Sequence, residues 1–406
     1  MTSQPVPAEA PSGAWARQSA SEETTEAQSL FSLENLPPFP RPWRHPLRCL
    51  AWLVRLGFGL VSLWFILAVL AALPLCNFVA LGYLLEAMGR VGRTGKLRYA
   101  LPLLPLAPRL GGLALGFGFW LLVLAWLAGW SYDAELVAPQ SPQAANWRTV
   151  RGLSALLVGI HLTLAIARGG GLLAFFRPWN NLCWLRRRWN TGDYPQLATR
   201  ALSEFFHALK IGYHFSLGLR GFVGAACWLV PPTLLFGALQ HPQRPGEVLL
   251  MLVGATLLIT ILPVVPFLQA HFAATNALRA FREWRAVRQW WRRAPLSCWL
   301  AVVLLYALSL PLYLFKIVAP PRDALWFFTL IYVPTIYPGK ILVAWAYAQA
   351  IKRTHPASWI WRWFCFLTLI PLLALYLFLL FFTPAISAAG RRVLFEHHPL
   401  LLPTPF

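Results

Sequence analysis

Residues 56–91 read LGFGLVSLWFILAVLAALPLCNFVALGYLLEAMGRV. From Leu56 to Leu73 no charged side chain interrupts the apolar run, which has the length of a bilayer-crossing helix. Pro74 breaks it. The chain then passes through Leu75-Cys76-Asn77-Phe78 and resumes with helical spacing, ending on Glu86, Arg90 and Arg93. This unit of apolar span, proline break, second half-helix and basic end recurs down the chain and marks an integral membrane protein.

Before this stretch, Ser, Glu, Thr, Ala and Pro dominate residues 1–40, which predicts a disordered N-terminal tail without the layout of a cleaved signal peptide. Arg41, Arg44, Arg48 and Arg55, with Trp43 and Trp52, read as an interfacial anchor. After it, further apolar spans are expected over 110–130, 153–167, 217–239, 248–270, 296–315, 324–351 and 359–387. The multi-pass membrane domain therefore covers 41–390, and 391–406 form a short C-terminal tail. Residues 195–214 read as an amphipathic helix, with Leu197, Leu202, Phe205 and Leu209 on one face and Arg200, Glu204, His207, Lys210 and His214 on the other. A second continues from the 248–270 span through 271–293. The expected fold is all-α, a polytopic membrane helix bundle of about eight hydrophobic units with cytoplasmic amphipathic helices.

Composition supports this class. Hydrophobic residues make up 58% of the chain and charged residues 12%, against roughly 25% charged in ordinary soluble domains. The net charge of +21 comes from Lys and Arg placed mostly on alternate sides of the spans. Arg90 to Arg109, Arg177 to Lys210, Arg279 to Arg293 and Lys352 to Arg362 form the basic set, whereas the intervening loops carry few cations. That bias places the basic set in the cytoplasm and makes a nucleic-acid partner unnecessary. It also implies a prokaryotic inner membrane with a cytoplasmic N-terminus.

Both flanks of 56–91 are basic, so a re-entrant hairpin turning near Pro74 would keep both ends inside; one long kinked helix would not. The kinked helix draws support from a loose repeat. Pro74-LCNFVALGYLLEAMGR, Pro266-FLQAHFAATNALRAFR and Pro338-GKILVAWAYAQAIKR share a proline followed by an amphipathic helix. The Pro74-x-x-Asn77-Phe78-x-x-Leu81-Gly82-Tyr83 stretch, with Glu86 and Arg90, resembles a family of uncharacterised multi-pass prokaryotic membrane proteins, a domain of unknown function. The resemblance covers about residues 45–130. It implies a helical membrane fold and no particular activity. The acidic residues usual in the loop after that motif are replaced here by the basic, Pro-rich segment 96–110.

Candidate chemistry is sparse. No carboxylate falls mid-membrane, which argues against an Asp/Glu proton relay and against paired catalytic carboxylates; no catalytic residue is assigned. Lys340 is the exception among charges. It follows Pro334-Thr335-Ile336-Tyr337-Pro338-Gly339 and lies deep between Asp323 and Lys352. It reads either as a cation at a broken helix, holding an anionic lipid or solute, or as a side chain that snorkels or binds carbonyls freed by the prolines. Asn77 sits where a turn needs a polar partner, and His161 reads as a hydrogen-bonded interior histidine. Glu86 and Arg90 have ion-pair spacing. His207, His214 and Glu204 read as a solvated face rather than a metal site, and His397-His398 as plain tail. The six cysteines (49, 76, 183, 227, 298 and 365) have no metal-ligand spacing, and no cofactor motif is present.

The strongest functional clue is aromatic and basic. Trp284 and Trp291 with Arg282, Arg285, Arg292 and Arg293 combine interfacial anchoring with charge suited to anionic headgroups of the cytoplasmic leaflet. The leading expectation is a non-enzymatic membrane scaffold or lipid-interacting subunit, with a membrane-protein partner or self-association as a further contact. A permease or channel for a small or anionic solute is the alternative, and an intramembrane lipid-modifying enzyme the third.

Overall fold

The computed structural model describes residues 43–168, 170–189, 199, 203, 206–239, 244–315, 325–387 and 390–402. The expected N-terminal tail, most of the first half of the 195–214 helix and the 316–324 loop lie outside them. The described residues form helices α1 (Pro46–Ala72), α2 (Cys76–Thr94), α3 (Ala107–Val137), α4 (Pro142–Ala167), α5 (Leu172–Phe175), α6 (Pro178–Trp189), α7 (Ile211–Phe236), α8 (Pro245–Ile261), α9 (Val265–Thr275), α10 (Trp284–Arg293), α11 (Pro295–Leu314), α12 (Leu325–Lys352) and α13 (Trp359–Ile386). Proline starts many of them, because its fixed φ suits the first turn and its missing N–H is not needed there. Ser141 caps α4 by accepting the Ala144 N–H at 3.1 Å. Gly95 closes α2 in the left-handed region (φ 71°) and returns its N–H to the Val91 carbonyl at 2.7 Å.

The chain is a multi-pass membrane helix bundle. Among the described residues seven helices are long and apolar enough to cross a bilayer, and α8 with α9, bent by 45°, makes an eighth if the pair is one span. At that bend the freed Leu262 carbonyl accepts the Tyr306 hydroxyl at 2.7 Å, which satisfies a group that lipid could not.

The first unit folds back on itself. Along α12, Thr329, Tyr337, Tyr347 and Lys352 meet Ala68, Tyr83, Gly92 and Gly95 in turn, so α2 runs parallel to α12. Tyr83 donates to the Pro102 carbonyl at 2.6 Å. A few residues further on, Pro108 lies against Gly59, and Gly111 against Ser62. The early part of α1 is therefore level with the middle of α2, and the two helices form an antiparallel hairpin that turns at Leu73-Pro74-Leu75, where Leu75 has φ 66°. With 27 residues, or about 40 Å of helix, α1 is long enough for a full crossing. Both ends of the hairpin lie at the end of the bundle that carries Arg90, Arg93, Lys352 and the arginines of α10.

Helix α2 is the centre of the bundle. Its residues 80–89 are all buried, packed by α7, α9 and α12. Contact with α7 is backbone to backbone. A Cβ on Gly82 would lie 1.7 Å from the His214 carbonyl oxygen, and one on Gly218 would lie 1.9 Å from that of Phe78. A Cβ on Gly89 would come within 2.3 Å of the Ala273 carbonyl of α9. Close approach of this kind drives helix association in lipid, where apolar surface alone gives no net force. The three proline-led repeats thus become α2, α9 and the second half of α12, and they pack on one another.

Two expected helices are interrupted. Lys210 adopts a left-handed conformation (φ 47°) and separates the amphipathic stretch from α7, so His207 is exposed while His214 is buried. Asn276 (φ 55°) ends α9, and a short 3-10 turn at Leu278–Arg282 precedes α10. The C-terminal segment also differs from a plain tail. Residues 390–402 fold into the bundle, with Val393, Leu400 and both His397 and His398 buried.

The glycine contacts generate a paired prediction. Gly218→Val should abolish monodisperse folded protein or cost well over the ~1–3 kcal/mol typical of overpacking, because the obstruction is backbone that cannot turn aside. Gly118→Ala, at a position with no neighbour within 4 Å, should leave the thermal melt in detergent unchanged or slightly raised.

Candidate functional site

The polar residues anticipated inside the membrane do not meet. His161 on α4 takes the Phe175 carbonyl at 2.8 Å and lies 3.4 Å from the Asn181 side-chain amide. Trp120 donates to the same carbonyl at 2.8 Å. Together they fasten the α5–α6 elbow to α3 and α4, which is the interior hydrogen-bonded role that the sequence suggested. Asn77 opens α2, with a buried Oδ1 that has no hydrogen-bond partner among the described residues.

Lys340 is 2% exposed on α12. It neither snorkels to a surface nor binds a proline-freed carbonyl: its Nζ donates to the Gln269 Oε1 of α9 at 3.2 Å. The Gln269 Nε2 in turn donates to the Leu400 carbonyl at 2.5 Å. The C-terminal segment thus enters from the end opposite the arginines and reaches the centre of the bundle. On the way, His397 pairs with Thr233 of α7 at 3.0 Å and with the Tyr376 hydroxyl of α13 at 3.1 Å. Tyr376 also meets Tyr313 at 2.8 Å. This is a polar axis closed on itself by neutral groups.

The aromatic and basic cluster does assemble a recess. Helix α10 is pinned by Val287 and Trp290, both buried; the Trp290 ring lies edge-on to Tyr347 (4.8 Å) and His271 (5.2 Å). His271 bridges Tyr347 at 2.8 Å and Glu283 at 3.0 Å, tying α9, α12 and the start of α10 together. The Ala357 N–H donates to the Arg292 carbonyl at 2.8 Å and holds the far end. Between this helix, the α8–α9 bend and α13 lies a groove of about 490 Å³, within the size range of small-molecule sites.

Its floor is apolar: Pro263 and Val264 from the bend, Val287 and Trp291 from α10, Phe366 and Leu369 from α13. Its rim carries Arg288, Arg292 and Arg362, and no carboxylate lines it. The Arg288 guanidinium lies 5.8 Å from the Trp284 ring centre. The Arg362 Nε is buried without a hydrogen-bond partner among the described residues.

Of the anticipated lipid-contact residues, the groove takes Trp284, Trp291 and Arg292. Arg282 and Arg285 face outward, and Arg293 is half-buried outside the lining. Arg288 and Arg362 belong to the basic set read from the sequence but were not among its named lipid contacts. Arg362 sits some seventy residues from α10, so only the packing of α13 brings it there. Among the described residues no cluster of three potential metal ligands occurs.

The Lys340–Gln269 bond makes a testable cycle. Gln269→Leu leaves the buried ammonium without its amide partner and should lower stability by about 1–3 kcal/mol. Adding Lys340→Met should recover part of that loss, since removing both partners is cheaper than removing one. Thermal unfolding of the single and double variants in one detergent reads the coupling; additive losses would deny it. No family model, curated protein or solved structure matches the chain.

Proposed function

We propose that this multi-pass protein sits in a prokaryotic cytoplasmic membrane with its basic end and N-terminus in the cytoplasm. There it acts as a non-enzymatic, lipid-interacting scaffold that holds an anionic phospholipid of the inner leaflet in the α10 groove. The observation that carries this reading is the pairing of an apolar floor with three rim guanidiniums and no lining carboxylate. An acyl chain lying on Val264, Phe366 and Leu369 would bring its headgroup to Arg288, Arg292 and Arg362. Guanidinium is suited to phosphate oxygens because it offers several donors in one plane. The basic end supplies the attraction for an anionic leaflet.

The enclosed setting of Lys340 also favours a scaffold over a permease. Its ammonium is buried against Gln269 and lines none of the described cavities. Trp284, which is exposed, and the apolar outer faces of α1, α3 and α13 leave room for self-association or a membrane partner.

Protein purified in mild detergent and analysed by native mass spectrometry should retain phosphatidylglycerol or cardiolipin in preference to phosphatidylcholine. Arg288→Gln with Arg362→Gln should reduce that retention about tenfold, given charge-assisted contacts on both sides of the headgroup. Equal retention by the double variant would overturn the reading. Orientation is checked separately with Ala20→Cys in a cysteine-free background. Labelling by an impermeant thiol reagent is expected only after the cells are opened, and labelling of intact cells would reverse the assignment.

A further inference from the structure

A second recess at the basic end has a different character. It lies between α2 and α7, beneath the loop that joins α2 to α3, and its volume is about 260 Å³. Five of its eight lining residues are polar: Glu86 and Arg90 from α2, Lys210, Tyr213 and His214 from the start of α7. Leu103 of the loop and Ala208 close it.

Glu86 is already fully engaged. Its Oε1 takes the Arg90 Nε at 2.8 Å, with Arg93 at 3.9 Å, and its Oε2 takes the Tyr213 hydroxyl at 2.9 Å. The carboxylate therefore orients its neighbours instead of offering itself to a ligand. Arg90 spends its Nε on that pair and keeps its terminal nitrogens. Lys210 adds a second cation. His214 is 5% exposed, and its Nδ1 is buried with no hydrogen-bond partner among the described residues. A buried polar atom left in this way is costly unless something that enters the recess satisfies it.

The backbone gives an independent sign. Among the described residues four non-glycines have positive φ: Leu75, Leu103, Lys210 and Asn276. Two of them, Leu103 (63°) and Lys210 (47°), line this one recess. Left-handed residues outside glycine are held only where the surrounding structure requires them, and such strain gathers at ligand sites. Here it aims the Lys210 side chain and the Leu103 lid toward the same space.

We propose that this recess binds a small phosphate-bearing anion reached from the basic face. Arg90, Lys210 and His214 would donate to its oxygens from three sides, and Glu86 would act as the positioning residue behind Arg90. A tetrahedral phosphate offers three terminal oxygens to donors that converge from three sides, and guanidinium and ammonium both pair with it. The size suits a phosphomonoester, free or at the tip of a lipid headgroup. The site is separate from the α10 groove and does not depend on it.

The test uses the full chain in detergent micelles and three probes: inorganic phosphate, glycerol phosphate and the short-chain lipid dihexanoyl phosphatidic acid. Equilibrium binding should be saturable, about tenfold weaker in Lys210→Gln, and abolished in Ala208→Trp, which fills the recess without removing charge. Arg151→Gln, at the opposite end, should bind as the parent does. Binding of the two water-soluble probes identifies a free phosphate ligand. Binding of the lipid probe alone, with the same response to the variants, identifies a headgroup. No saturable binding of any probe, or affinities that neither Lys210→Gln nor Ala208→Trp changes, would overturn the proposal.

Discussion

A side chain at Gly82 or Gly218 would occupy the space of a backbone carbonyl on the facing helix. In lipid, helices gain little from hiding apolar surface, so their association depends on close fit and on polar groups satisfied across the contact. Helices α2 and α7 meet at van der Waals distance of their backbones, and the bundle is arranged around that contact. It holds α2 at a depth where Gly89 admits the Ala273 carbonyl of α9, and it brings the Phe281 ring of the following 3-10 turn onto Gly224. It also sets His214 beside Glu86. The closest backbone contact and the recess that holds Glu86 and Arg90 are built by the same two helices.

The second constraint is proline. Pro334 removes the N–H that would have bonded the Leu330 carbonyl, and Trp64 of α1 supplies an indole N–H to it at 2.7 Å. Tyr306 does the same at the α8–α9 bend, and Tyr332 takes the Leu312 carbonyl near the end of α11 at 2.9 Å. At Leu330 and Leu262 the proline-freed carbonyl therefore has an aromatic donor from a different helix, and at Leu312 a helix-end carbonyl does. That donor fixes the bend's direction and also joins two helices that lipid alone would not hold together. Bends of this kind are rigid joints, because opening one would strand a carbonyl in hydrocarbon.

Much of this was legible in the sequence because span length and charge are local properties. The apolar runs located the helices, the flanking arginines pointed to a hairpin at 56–91, and the Pro-led repeat anticipated three helices of one kind. What failed depended on phase. Continuing a 3.6-residue period through Asn276 turns Trp284 inward. That stripe also holds Ala280 and Val287, which are buried, but the left-handed Asn276 and the 3-10 turn after it reset the phase, so Trp290 is buried beside Val287 and Trp284 is exposed. Lys210 hides His214 from a helical-wheel reading in the same way. The C-terminal segment was missed for another reason. Its arginines and histidines mask Val393, Leu394, Leu400 and Leu401, and nothing local to it reveals the Thr233, Tyr376 and Gln269 groups that receive it.

The distribution of charge ties these features to one face. Lys340 is buried in the interior, where it is met by the neutral Gln269 amide and by no described carboxylate. The groove rim adds three guanidiniums, and the α2–α7 recess adds two cations around one acid already engaged. Glu86 and Glu283, the described acids of this end, are both bound to neighbours, Glu86 by Arg90 and Tyr213, Glu283 by His271. Among the described residues the basic end therefore presents cationic donors whose neighbouring carboxylates are already engaged. Potential of that sign draws anions to the surface and repels cations. Selection among anions then falls to shape, with a long apolar floor in one recess and a small polar chamber in the other. The same net charge that the sequence displays as a topology signal is thus gathered, once the helices are packed, around two recesses of different shape.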